Sequence, residues 1–82
     1  MSTTEIERTT VIDVEGMTCG HCVHAVTTEL SGLEGVRSVS VDLNAGGVSP
    51  VTVVSGSTID DDALRAAVDE AGYAVTAVRR DA

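Results

Sequence analysis

The chain lacks tryptophan, phenylalanine and lysine, and it has one tyrosine, Tyr73, and one proline, Pro50, among its 82 residues. Its core must therefore be built from valine, isoleucine, leucine and alanine. Positive charge is scarce: five arginines stand against 13 acidic residues, for a formal net charge of −8. Such a surface repels phosphate backbones and anionic lipid, which argues against nucleic acid or a membrane surface as partner. A basic protein surface or a cation suits it better. No apolar run approaches the ~20 residues of a membrane span, so direct membrane insertion is not expected. The opening MSTTEIERTT has no apolar signal-peptide core. These absences point to a cytosolic location, where thiols stay reduced and a structural disulfide is not expected.

A chain of this length supports one small domain with a thin stability margin. A surface site is a better expectation than a deep substrate cavity. Residues 1–8 are polar and read as a flexible N-terminal segment, residues 9–79 as the domain, and residues 80–82 as a short C-terminal tail.

Within the domain the periodicity alternates between two and 3.6. Thr9 to Val14 reads as a strand. Gly20 to Ser31 reads as a helix with Val23, Val26 and Leu30 on one face and Gly32 at its C-cap; Leu33 packs back onto the core. Val36 to Leu43 alternates as a half-buried strand with Val39, Val41 and Leu43 inward. "NAGG", residues 44–47, is a turn signal, and Val51 to Ser55 is the next strand, with Pro50 near its start or on an edge. Ser57 to Asp60 opens a second helix, with Thr58 as its cap and Asp60, Asp61 and Asp62 at the positive end of the dipole. Gly72 closes that helix, and Tyr73 to Val78 is the last strand. The order predicts an α+β, ferredoxin-like βαββαβ sandwich: a four-stranded antiparallel sheet with two helices on one face.

Both cysteines fall in one short stretch, Gly16-Met17-Thr18-Cys19-Gly20-His21-Cys22, with His24 close behind. Cys19 is placed in the loop and Cys22 in the first helical turn. Free backbone N–H groups and the helix dipole there favour thiolate over thiol. Two thiolates suit a soft ion such as Cu(I), which accepts few ligands. A closed zinc site needs four ligands, and Cys22 and His24, two apart, point in different directions. A thiol oxidoreductase is a further reading of C-x-x-C, although such folds use a longer chain and a cis-proline facing the pair. Two buried, inert cysteines would be core residues, but the surrounding sequence is polar and loop-like.

The segment from Gly16 to Cys22 resembles the G-M-x-C-x-x-C signature of heavy-metal-associated domains, the small copper chaperones and N-terminal modules of copper-transporting P-type ATPases. Leu33-Glu34-Gly35-Val36 and Asp69-Glu70-Ala71-Gly72-Tyr73 are similar to two further motifs of that family, so the resemblance spans about Thr10 to Val78. It implies that Cys19 and Cys22 bind Cu(I), that Met17 braces the loop from the core without being a ligand, and that Tyr73 lies near the metal loop. His21, between the cysteines, is either a third ligand in an intermediate or a solvated residue; His24 is an exposed helix residue. The stretch from Asn44 to Pro50 is longer than the family's usual hairpin.

The function that follows is that of a cytosolic copper chaperone, not an enzyme. It hands Cu(I) to the metal-binding domain of a copper-transporting P-type ATPase by thiolate exchange. Alternatives are an excised ATPase module, a mercury or other soft-metal binding protein, and a thiol oxidoreductase. The apo protein is expected to be a monomer, with a copper-bridged dimer possible.

Overall fold

The computed structural model describes residues 8–81, so the N-terminal segment falls outside the described residues except for Arg8. The elements run β1 (Arg8–Glu15), α1 (Gly20–Ser31), β2 (Val36–Val41), β3 (Val48–Ser55), α2 (Asp61–Glu70) and β4 (Ala74–Asp81). The four strands form one sheet in the order β2-β3-β1-β4, with every neighbouring pair antiparallel. This is the ferredoxin-like βαββαβ sandwich that the alternating periodicities predict.

The alternation of the two central strands builds the core. Thr10, Ile12 and Val14 of β1 and Ser49, Val51, Val53 and Ser55 of β3 turn inward, while their neighbours remain at least partly exposed. Of these, Ile12, Val14, Val51 and Val53 meet Val26 and Leu30 of α1 and Leu64, Ala67 and Val68 of α2 in a single cluster. Each fully buried aliphatic side chain in it contributes about 1.5–3 kcal/mol relative to exposure. Val23, Leu33, Val39, Val41 and Tyr73 pack around the rim.

Besides one-residue differences at the ends of β1 and the start of β4, the chain departs from the sequence-based expectation in four places. Leu43 does not extend β2: the strand ends at Val41 and Leu43 is 38% exposed. The Asn44 N–H bonds the Ser49 hydroxyl instead of a strand partner. Strand β3 begins earlier than expected, so Pro50 lies inside a central strand. Its carbonyl accepts from Asp42 N–H, so its missing N–H lies on that same side, where β2 has already ended. Helix α2 starts at Asp61 with Asp60 as N-cap, and Thr58 is not the cap; neither helix has a side-chain capping bond. The segment before α2 stays extended because Ser55 Oγ donates to the Ser57 carbonyl at 2.6 Å and Ile59 enters the core. Finally, β4 continues past Val78 to Asp81, since Thr9 and Thr10 of β1 supply pairing for Asp81 and Arg80.

Candidate metal centre

The site is built where β1 hands the chain to α1. Gly16 has φ of +98°, a left-handed conformation that a side chain would strain. That turn sends Met17 down into the core, where it is 0% exposed. The chain then rises through Thr18 to Cys19, which is extended (φ −157°, ψ 177°) and occupies the N-cap position of α1. The Cys19 carbonyl starts the helix by accepting from the N–H groups of Cys22 and Val23 at 3.1 and 3.2 Å. Its side chain makes no capping bond and is free to face outward.

Cys19 is exposed and Cys22 half-buried, and both thiols are free. Their Sγ atoms lie 3.7 Å apart, and Thr18 Oγ1 is 3.8 Å from the sulfur of Cys22. The Cys22 thiol is lowered from an ordinary 9.0 to about 6. The largest cause is the Thr18 backbone N–H donating to the sulfur, followed by the Tyr73 side chain; partial burial opposes them, and the Cys19 N–H and Thr18 hydroxyl add to them. Cys22 is therefore mostly thiolate at neutral pH. Sequence reasoning assigned this effect to free backbone N–H groups and the helix dipole together. In the structure it comes from loop amides, and Thr18 is a contributor that sequence reasoning missed; the only signal was a small hydroxylated residue directly before the first cysteine.

Tyr73 reaches the site from the other end of the fold. Helix α2 ends in a Schellman arrangement: Gly72 (φ +95°) donates to the Asp69 carbonyl at 2.9 Å and Tyr73 N–H to the Val68 carbonyl at 3.1 Å. This reversal brings the ring against Gly16, where an added Cβ would stand 3.6 Å from Tyr73 Cδ1. The phenol is held above its ordinary 10.0, first by its hydrogen bond to Cys22, then by partial burial and by the charge of both cysteines. The two shifts agree in direction: the phenol beside the Cys22 sulfur favours thiolate on one side and neutral phenol on the other.

His21 and His24 are exposed on the first turns of α1. Among the described residues, no three of histidine, cysteine, aspartate and glutamate gather where they could share a metal ion. The structure thus brings Met17, Cys19, Cys22 and Tyr73 to one corner and leaves His21 at its edge. An open groove of about 480 Å³ lined by Asp62, Arg65, Asp69 and Tyr73 runs beside α2, but it contains neither cysteine.

The sulfur pair suits a small soft ion. With thiolate–metal bonds of about 2.3 Å, a collinear arrangement needs sulfurs about 4.6 Å apart and a trigonal one about 4.0 Å. From 3.7 Å the pair must open by less than about 1 Å, which the exposed Cys19 side chain allows. Among the described residues, no helix is long and apolar enough to cross a membrane.

Comparison with known proteins places this geometry. The chain is 40% identical over 72 residues to the copper chaperone CopZ of Staphylococcus saprophyticus, covering 82% of this chain and 96% of that one. It is 39% identical over 70 residues to copper-transporting ATPase 2 of Homo sapiens, covering 85% of this chain and only 5% of that protein. A solved structure from Bacillus anthracis str. Ames, described as copper-ion-binding, superposes with a TM-score of 0.67 at 34% identity over 89% of this chain and 100% of that one. The yeast copper transporter domain Ccc2a shares the fold, with a TM-score of 0.71 at 21% identity over 92% of this chain and 96% of that one. Residues 11–74 match the heavy-metal-associated domain, and the chain belongs to that family.

Proposed function

We propose that this protein is a cytosolic Cu(I) carrier that binds its cargo between Cys19 and Cys22 and passes it to the metal-binding domain of a copper-transporting P-type ATPase. One observation carries the reading: two free sulfurs 3.7 Å apart at an exposed corner, with Cys22 held as thiolate at neutral pH. Thiolates select soft monovalent copper, and two of them satisfy its low coordination number. The relatives named above for copper support the choice of metal.

Delivery proceeds by ligand exchange. A thiolate of the acceptor joins the copper to give a three-sulfur intermediate and one of the carrier's sulfurs leaves; a second acceptor thiolate then displaces the other. Each copper–sulfur bond broken on the carrier is matched by one formed to the acceptor and copper stays monovalent, so the protein is a carrier and not an enzyme. Met17 holds the loop from below and Tyr73 shields the Cys22 sulfur. His21 borders the pair, where it can join copper shared between two copies; the apo protein is a monomer. The similarity to human copper-transporting ATPase 2 favours a second reading, a metal-binding module of a transporter, in which the same sulfur pair receives copper instead of delivering it.

The test is a competition titration of the reduced protein with Cu(I) against a chelator. The expected result is stoichiometric uptake in the wild type and near-complete loss in Cys19→Ser. Equal affinity in the two proteins would end this reading. Insulin reduction with turnover would replace it with an oxidoreductase, and tight Hg(II) binding without copper binding would redirect it to mercury.

A further inference from the structure

The connection between β2 and β3, residues 42–47, bonds the metal loop through its backbone. Gly46 N–H donates to the Met17 carbonyl at 3.1 Å, and Gly16 N–H donates to the Gly47 carbonyl at 3.4 Å. The two residues that set the path of the loop are thus tied by their backbones to a turn in another part of the sequence. Met17 is held below by its side chain in the core and beside by this pair of bonds.

The turn is held in its own right by side-chain bonds, chiefly those of Ser49. Ser49 faces the core opposite Val14 and is 0% exposed. Its Oγ accepts from Asn44 N–H at 2.9 Å and donates to the Asn44 carbonyl at 3.4 Å. Gly47 N–H converges on the same carbonyl at 3.0 Å, and Asn44 Nδ2 donates to the Val48 carbonyl at 3.3 Å. A hydroxyl buried on a valine-rich face is costly unless its bonds are made. Here both its donor and acceptor are used on one residue of the turn.

We propose that Ser49 is a positioning residue for the metal loop, acting through Asn44 and the residue 44–47 turn on Gly16 and Met17. It touches neither sulfur. Its effect on Cys19 and Cys22 is to narrow the range of loop conformations, so that the thiolates are preset for copper. Direct hydrogen-bond partners of metal ligands commonly change affinity 10–100-fold when removed, and Ser49, one relay further out, is expected at the low end of that range. The proposal rests on the Cu(I)-carrier reading, and its test separates the two.

Ser49→Ala removes the hydroxyl. Ser49→Thr and Ser49→Val add the same bulk but differ in the hydroxyl, so any packing penalty common to both cancels in their comparison. The expected result is that the Gly46 amide loses hydrogen-exchange protection in the Ala and Val variants and keeps it in Thr. Cu(I) affinity falls about tenfold in Ala and Val and is restored in Thr. A merely structural serine would lower the melting temperature while leaving protection at Gly46 and the affinity of the folded protein as in the wild type; that outcome overturns the proposal. If wild type and Cys19→Ser bind copper equally, the carrier reading fails by itself. Amide exchange then decides the clamp: loss of protection in Ala and Val but not Thr upholds it, and equal protection in all four proteins overturns it.

Discussion

The two halves of the fold, β1-α1-β2 and β3-α2-β4, solve the same local problem with different residues. Each must carry the chain from the end of a strand to the start of a helix, and each anchors that crossing with one apolar side chain in the core: Met17 before α1, Ile59 before α2. Each helix then starts without a side-chain capping bond. Beyond this point they diverge. The first turn of α2 carries Asp61 and Asp62, with Asp61 paired to Arg80. The first turn of α1 has no acidic residue. Carboxylates complement the dipole in the second half and only stabilise it. In the first half no carboxylate stands there, and the Cys22 thiol beside it is lowered by the Thr18 and Cys19 amides and by Tyr73.

The largest expected effect tests the two anchors. Met17→Ala and Ile59→Ala should each cost about 2–5 kcal/mol in urea unfolding, since both truncate a buried side chain. Only Met17→Ala should also weaken Cu(I) binding in the folded protein, because only its crossing carries sulfurs. If Ile59→Ala weakens copper binding as much, the two halves are not functionally distinct.

The next effect concerns the Cys22 thiolate. Tyr73→Phe removes the second-largest cause of its lowered pKa, so the midpoint followed by ultraviolet thiolate absorbance should rise from about 6 towards 9.0 without reaching it, since the Thr18 and Cys19 amides remain. An unchanged midpoint would show that the loop acts alone.

The same shift predicts a pH dependence of stability. Between about pH 6 and 9 the folded protein binds fewer protons at Cys22 than the unfolded chain, so stability should rise with pH through this window. It should be lost again as pH falls through about 6. The raised Tyr73 phenol gives the opposite slope at and above pH 10.0. Urea midpoints of the reduced protein measured against pH should show the rise in the wild type and lose it in Cys22→Ser.

The smallest effect is expected at α2. Asp61→Asn removes a first-turn charge and the partly exposed pair with Arg80, and should cost less than about 1 kcal/mol, less still at high salt. Copper affinity should not change. A shift in affinity would mean that charge at the α2 start is felt at the sulfurs.

Much of this was legible in the chain. Helix α1 was bounded correctly by its helical spacing and flanking glycines, and the strand and helix order followed from valine alternation. The cysteine pair stood out by its spacing, and Met17 and Tyr73 by their motif positions. Boundaries that depend on a partner were less legible. Leu43 looks inward by alternation, yet β2 stops two residues before it. Thr58 looks like a cap, yet the Ser55 hydroxyl and the burial of Ile59 hold that segment extended.

The fold class, the apolar faces and the closely spaced cysteine pair could all be read along the chain, because periodicity and side-chain chemistry are local properties. Only the tertiary structure decided how those sulfurs are tuned. The Tyr73 side chain delivered from the end of α2 and the turn held by Ser49 reach the loop through space. Hydrogen bonds of that kind depend on where distant segments come to rest, which no spacing along the chain records.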